Sequence, residues 1–429
     1  VRTRSTRLAV NPTSNRPRTL LLLGCGFEQA EALRVARELG YRTIAFDNDS
    51  NAAGRSQADD FLRVDLKDPV ELVKQARSVA PDGVFVHAAE LAVQAASVAE
   101  ALGLPGLPVE TALDATDKSR RIQRLSAAGI RTPRFEILPT SAPDVTAWIE
   151  QTKSIPYPKV LKPTNQAGAR GVRLVANPRE LADYHARRLE WRSDEIVCEE
   201  RLEGLQLSTE SVSHRGRRLH HAIALRHYDT TDDLLPCFIE DGHSMPYALP
   251  VAIHAAVVDV IERCFAALGI EDGVLKGDLL VRPDGTVHVL EMAARTSGGR
   301  FADTVVPLAT GTNILYPLIE LAMGDAFSRD WFTPLREVGV SQRFFLPRGP
   351  ARVRCWPTLR RLVARPGVAE VRLDEGLFKT GLLPSIQSHR DRLGYVIVTA
   401  PTREEADREA LQITRAFDRD LDLEREIAR

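Results

Sequence analysis

From Thr19 to about residue 102 the chain alternates short apolar runs with helical periodicity, and this restricts the fold more than any other feature. TLLLLGCG (19–26) reads as a strand and leads into the helical QAEALRVARELG, followed by the strand RTIAFD (42–47). After a loop come VKQARSVA as helix, GVFVHA (83–88) as strand and AVQAASVAEALG as helix. Strands joined through helices lie parallel, because a tight turn cannot connect parallel neighbours and a crossover helix can. LGLPGLP (102–108) punctuates the end of the unit. Residues 19–108 are therefore expected to form an α/β domain with a Rossmann-like parallel sheet.

A second unit, 109–330, opens with the helix around TDKSRRIQRLSAAG (116–129). It continues through the strand PKVLKP with mixed strands and helices. The last hundred residues, 331–429, read as a C-terminal α+β domain. VRLDEGLFKTG and RLGYVIVTA are strand-like there. TREEADREALQITRAFDR is an amphipathic helix whose Thr402 and Glu405 suit a capping box. Three such units agree with 429 residues at roughly 150 per domain.

Composition excludes several classes. A net charge of −1 sets up no global field for nucleic acid or an anionic membrane. No run of 18 apolar residues exists to span a bilayer. Residues 1–18 carry five arginines and no acid but lack the apolar core of a secretory signal, so they read as a disordered basic arm. The five cysteines include no CxxC pair, which fits buried thiols and a cytoplasmic location.

GDLLVRPDGTVHVLE (277–291) poses a question of electrostatics. If Asp284-Gly285 is a two-residue hairpin loop, 283 faces 286 and 282 faces 287. Carried outward, that register places Asp278 directly across from Glu291. Opposed Cβ atoms lie about 4.5–5.5 Å apart, where like charges are destabilising. Either one carboxyl is protonated or a cation sits between them.

Other stretches carry chemistry less specifically. KVLKPTNQAGARGV (159–172) delivers Lys162 at a strand end before a loop containing Gly168 and Gly171, where small residues let backbone N–H groups approach an anion. It is not a Walker A loop, and a plain hairpin is the alternative. EIVCEERLEGLQLSTES (195–211) reads as strand, hinge and strand. In EMAARTSGGR (291–300), Arg295 can fork onto a carboxylate or phosphate and Ser297-Gly298-Gly299 can expose N–H groups, unless the stretch is an ordinary loop. GCGFEQ (24–29) lacks the third glycine of a dinucleotide fingerprint, because position 29 is Gln. A helix N-terminus receiving an anionic substrate group remains open there. His87 and Glu90 follow a parallel strand, at the edge where open α/β sheets bind ligands.

Taken together, TDKSRRIQRLSAAGIRTPRF, VLKPTNQAGARGV, CEERLEGLQLS and GDLL…VHVLEMAARTSGG resemble the ATP-grasp ligases in order and spacing. The likeness extends from about Thr19 to Asp325. Residues 335–429 more weakly resemble the C-terminal domain of L-amino acid ligases. The resemblance implies an ATP-grasp fold over 109–330, with a small lid subdomain at about 125–205, preceded by a Rossmann-like domain. By position, Lys118 and Lys162 match nucleotide-binding lysines, the second on the α/β-phosphates, with Gly168 and Gly171 in the phosphate loop. Glu199 and Leu202 fall on the hinge that reads the adenine edge. Gln206 stands where the family usually carries a ribose-contacting glutamate. Asp278 and Glu291 match magnesium ligands, and Arg295 matches the arginine facing the transferred phosphoryl group. Glu28, Glu90, Arg295, Ser297 and Gly298 are carried as substrate contacts. Ala293 departs from the usual Glu-x-Asn-x-Arg and removes one amide ligand.

The implied activity is that of an ATP-dependent carboxylate–amine ligase. An acyl-phosphate intermediate would form with release of ADP, and an amine would then give the amide and phosphate. The cofactors would be ATP and Mg²⁺, with Mn²⁺ as a substitute. Small-molecule acids and amines, amino acids or peptides, would be the partners, and a homodimer is left open. The alternatives are a carboxylase, carbamoyl-phosphate or purine-biosynthesis-like member, and a nucleotide-sensing pseudo-ligase.

Overall fold

The computed structural model describes residues 17–347 and 349–424. Of the basic arm expected over 1–18, residues 1–16 lie outside the described residues. Arg18 is fixed by Asp325, its Nη1 donating to both carboxylate oxygens at 2.6 and 2.7 Å.

The first unit holds β1 (Thr19–Leu23), β2 (Arg42–Asp47), β3 (Asp60–Arg63) and β4 (Gly83–Phe85), in the order β3-β2-β1-β4 with every pair parallel. All five residues of β1 are buried, as a continuous apolar strand covered on both faces requires. The covering helices start on side-chain caps where the sequence supplies them. Asp68 accepts from Val70 N and Glu71 N, with Pro69 next to it, to open the helix Pro69–Val79.

A four-stranded antiparallel sheet follows, built from β5 (Phe135–Pro139), β6 (Lys159–Pro163), β7 (Arg173–Val175) and β8 (Glu195–Glu200) in the order β5-β8-β6-β7. Fully buried Trp148 anchors its core, with Leu138, Leu161 and Ile196.

The chain then forms β9 (Leu205–His214), β10 (Arg217–His227), β11 (Gly242–Met245), β12 (Gly273–Val281) and β13 (Val287–Ala293). The last hundred residues add β14 (Gly339–Phe345), β15 (Ala351–Cys355), β16 (Val368–Leu373), β17 (Leu382–Leu383), β18 (Gly394–Ala400) and β19 (Asp422–Glu424). Eight of these strands make one sheet, β13-β12-β9-β10-β11-β14-β18-β16, while β17-β15-β19 stand apart. β14 pairs with β11 from Gly242↔Arg343 to Met245↔Val340. The proposed boundary at 330/331 thus separates strands that share a sheet.

The helix Arg403–Asp420 carries the expected capping box between Thr402 and Glu405. Its buried face of Ala406, Ala410, Ile413 and Phe417 packs on the sheet, with Phe417 stacked on Phe345 at 4.1 Å between ring centroids. One expected strand is corrected. VRLDEGLFKTG is extended only to Leu373, and Glu375–Thr380 is a helix capped by Asp374, which accepts from Leu377 N. Gly381 ends that helix at φ +63°. An Asp cap and a terminal glycine outweigh the apolar alternation there.

Cys25, Cys198, Cys237 and Cys264 are buried free thiols, and Cys355 is exposed and free. Among the described residues no helix is long and apolar enough to cross a membrane.

Candidate nucleotide and metal site

The hairpin between β12 and β13 sets the frame. Its loop has three residues, one more than expected. Arg282 N donates to Thr286 O, Gly285 N donates to Arg282 O, and the strands pair as 281↔287, 280↔288 and 279↔289. Gly285 takes φ +83°, as a type I turn closing into a bulge needs. Between Asp278 and Leu279 the register shifts, leaving Leu290 as an extra residue on β13. The two offsets cancel. Asp278 lies opposite Glu291 after all.

A cation does sit at the pair, and it is an ammonium. Lys276 Nζ is 2.5 Å from Asp278 Oδ2 and 3.8 Å from Glu291 Oε2. Arg226 approaches Asp278 at 2.8 Å, and Arg121 approaches Glu291 at 3.8 Å. Burial alone would raise the Glu291 carboxyl. Lys276, Arg121, Lys118 and Arg295 outweigh it and hold Glu291 well below the usual carboxylate range. Lys276 was legible, since it stands two residues before Asp278 and so shares its face of the strand. It also lies directly opposite Ala293, where the resemblance expects an amide.

A cleft between the four-stranded sheet and the central sheet is lined by Lys118, Lys162, Gly168, Glu199, Leu202, Gln206, Asp278 and Glu291. Lys118 opens the helix Lys118–Ala127, held there by the Asp117 cap, and donates to Gln166 O. Burial pulls its ammonium below the ordinary value, against the attraction of Glu291 and Glu90. Lys162, at the end of β6, pairs with Glu199 Oε2 at 2.5 Å. The two residues are diagonal neighbours across β6 and β8, since Lys162 faces Val197 and Val160 faces Glu199. Gly171 is not among the lining residues. A Cβ there would lie 2.7 Å from Pro163 Cγ and 2.8 Å from Trp191 Cδ2, so close packing explains its missing side chain. Arg226, Tyr228 and His389 line the cleft without having been anticipated.

The remaining candidates gather where the first unit meets the loop after β13. Arg295 Nε donates to Glu90 Oε1 at 2.9 Å. Burial would raise Glu90, but the Arg295 guanidinium overcomes it and holds this carboxyl below the usual range. The N–H groups expected to face a ligand are already taken. Ser297 N donates to Glu210 at 3.0 Å and Gly299 N to Glu28 at 2.6 Å, while a Cβ on Gly298 would come within 3.0 Å of Glu28 Oε2. Burial raises both the Glu210 and Glu28 carboxyls above the ordinary value. His87 joins this cluster through Thr296 at 2.8 Å and Asp303 at 3.4 Å.

Two opposed carboxylates offer hard oxygen donors. Among the described residues no group of three or more His, Cys, Asp or Glu could hold a metal ion. Such a pair fits Mg²⁺, which binds through one or two carboxylates and completes its shell with phosphate oxygens and water.

Comparison with known proteins identifies two domains in the chain. A family model for the ATP-grasp domain matches residues 155–304, and one for the L-amino acid ligase C-terminal domain 2 matches 343–418. An uncharacterized protein of Sinorhizobium fredii is 28% identical over 311 residues, 71% of this chain and 61% of that protein. Carnosine synthase 1 of Gallus gallus is 26% identical over 333 residues, 71% of this chain and 35% of its own length. The chain therefore spans less than two thirds of these relatives. Among solved structures, L-amino acid ligase from Bacillus licheniformis has a TM-score of 0.79 at 21% identity, covering 96% of this chain and all of its own. Carboxyaminoimidazole ribonucleotide synthase from Aspergillus clavatus, complexed with ATP, has a TM-score of 0.74 at 15% identity, over 94% and 99%. At such identities the likeness is one of fold. With its cleft between two sheets, the chain carries an ATP-grasp domain and an L-amino acid ligase C-terminal domain.

Proposed function

We propose that the protein is an ATP-dependent carboxylate–amine ligase that joins amino-acid or peptide substrates through an acyl-phosphate. The observation that carries this reading is the convergence of Lys118, Lys162, Asp278 and Glu291, from three segments distant in sequence, on one cleft. Lys118 and Lys162 would neutralise polyphosphate, and such positioning and charge neutralisation do most of the work in phosphoryl transfer. Asp278 and Glu291 would hold Mg²⁺, which when bound supplies further neutralisation of phosphate charge. For the metal to be held there, Lys276 has to share or surrender its contact with Asp278.

Beyond the cleft, Arg295 orients the acid substrate and the phosphoryl group it receives, and Glu90 holds the guanidinium in place. A carboxylate oxygen of the acid attacks the γ-phosphorus and ADP leaves. The amine then attacks the acyl carbon, the C–O bond to phosphate breaks, and the amine nitrogen gives up a proton. Raised carboxyls at Glu28 and Glu210 lie beside the 297–299 loop and are candidates to accept it. The C-terminal domain match supports amino-acid substrates.

A second reading, a nucleotide sensor without turnover, is favoured by one observation: Lys276 and Arg226 already compensate Asp278. Phosphate release from ATP with amino-acid pairs separates the two. Release that requires both an acid and an amine, with an amide detected by mass spectrometry, supports the ligase. ATP binding without such release supports the sensor.

A further inference from the structure

His389 belongs to the C-terminal unit, far in sequence from the lysines and carboxylates of the cleft, yet it lines the same cleft. It sits on a hydrogen-bonded turn. Asp391 accepts from the N–H groups of Gln387 at 2.9 Å and Ser388 at 2.8 Å, and Ser388 caps the turn in return. The turn is docked on the lid. His389 N donates to Gly168 O at 3.0 Å, and Arg173 reaches the Gln387 carbonyl and side chain, both at 3.2 Å.

The ring is held from the other side. Glu240 N–H donates to His389 Nε2 at 3.3 Å, which makes Nε2 the acceptor and leaves the hydrogen on Nδ1. Burial, with Arg392 adding to it, keeps this imidazole neutral far below its usual pKa. Among the described residues Nδ1 has no hydrogen-bond partner. The Glu240 carboxylate in turn meets Arg226 at 3.1 Å, and Arg226 meets Asp278 at 2.8 Å. One continuous path therefore runs from the glycine loop of the lid, through the C-terminal unit, to the carboxylate pair.

We propose that His389 is a nucleotide-binding residue supplied by the C-terminal unit, its Nδ1–H donating to a polyphosphate oxygen held at the Gly168 loop. This rests on the nucleotide reading of the cleft given above. A neutral donor suits the position, because Lys118, Lys162, Arg121 and Arg226 already line it and a further cation would be repelled.

Two near-isosteric variants separate this role from a structural one. In His389→Asn the amide nitrogen can stand near Nδ1, and in His389→Gln the amide can stand near Nε2. Affinities for ADP and for adenosine are measured by calorimetry on the full chain in Mg²⁺ buffer. The proposal expects H389Q to weaken ADP about tenfold and leave adenosine within twofold, while H389N holds ADP within threefold. The reverse pattern, with Gln tolerated and Asn not, would mean that the residue only supports Glu240, and would overturn it. Equal losses for ADP and adenosine in both variants, or no loss in either, would overturn it as well. Wild-type protein that fails to bind ADP would overturn this proposal and the ligase reading together. Wild-type binding with an unaffected H389Q overturns only this one.

Discussion

Asp278 is 4% exposed, and its carboxylate touches two cations, Lys276 and Arg226, the second shared with Glu240. From the hairpin alone, neutralising either carboxylate should relieve repulsion and stabilise the metal-free protein. The neighbours reverse the sign. Asp278→Asn takes from Lys276 its nearer carboxylate and from buried Arg226 one of its two anions, and breaking a buried pair from one side costs about 3 kcal/mol or more. Urea unfolding in EDTA should show that loss, and a variant as stable as wild type would mean that the two cations do not depend on Asp278. Glu320 gives a pH-dependent case. Burial, reinforced by Asp325, pushes its carboxyl up to about 7 from an ordinary 4.5. A carboxyl raised in the folded state stabilises below its unfolded pKa, and that contribution is lost as pH rises through about 7. Allowing for partial exposure, Glu320→Gln should exceed wild type by about 1–2 kcal/mol at pH 8. The gap should close as pH falls toward 4.5, and a gap that does not change between pH 8 and 5 would contradict the assignment.

The hairpin of β12 and β13 shows how an element can carry the right residues on a register built differently from the simplest one. Gly285 is its fixed point, at φ +83° with Ile253 Cδ1 3.1 Å from where a Cβ would stand. Gly285→Ala should cost roughly 1–2 kcal/mol from the left-handed backbone alone. Unchanged denaturant midpoints would show that the turn relaxes. Local signals made much of the molecule readable: the parallel βαβ run, the Thr402–Glu405 cap, the loop and strand that deliver Lys162, and the opposition of Asp278 and Glu291. What stayed hidden depends on partners remote in sequence. β3 is four residues with little pattern, and it is defined by pairing to β2. The bulge at Leu290 lies on β13 where β12 pairs with β9 along its other edge, a pairing no local signal marks. Ser297 and Gly299 look like free donors until Glu210 and Glu28 arrive from other segments. Nothing local marks His389 as part of the cleft, because Gly168 and Glu240 reach it from distant parts of the chain.

At the scale of the whole molecule, three units meet around the candidate site residues. The first unit reaches the loop after β13 through Glu28 and Glu90. The four-stranded sheet supplies Lys162 and the glycine loop, and the central sheet supplies Asp278 and Glu291. The C-terminal unit extends that central sheet through β14, β18 and β16, so its position is tied by backbone pairing to the strands that bear the carboxylates. The proposed reaction has the acid substrate, held near Arg295, attack the γ-phosphorus. The direct measurement is ³¹P NMR of reactions run with ¹⁸O-labelled acid substrate, once an active amino-acid pair is found. Attack by the carboxylate at the γ-phosphorus predicts ADP together with phosphate carrying one ¹⁸O from the acid. AMP and pyrophosphate, or unlabelled phosphate beside a genuine amide, would contradict an acyl-phosphate and with it the roles given to Lys162 and Arg295.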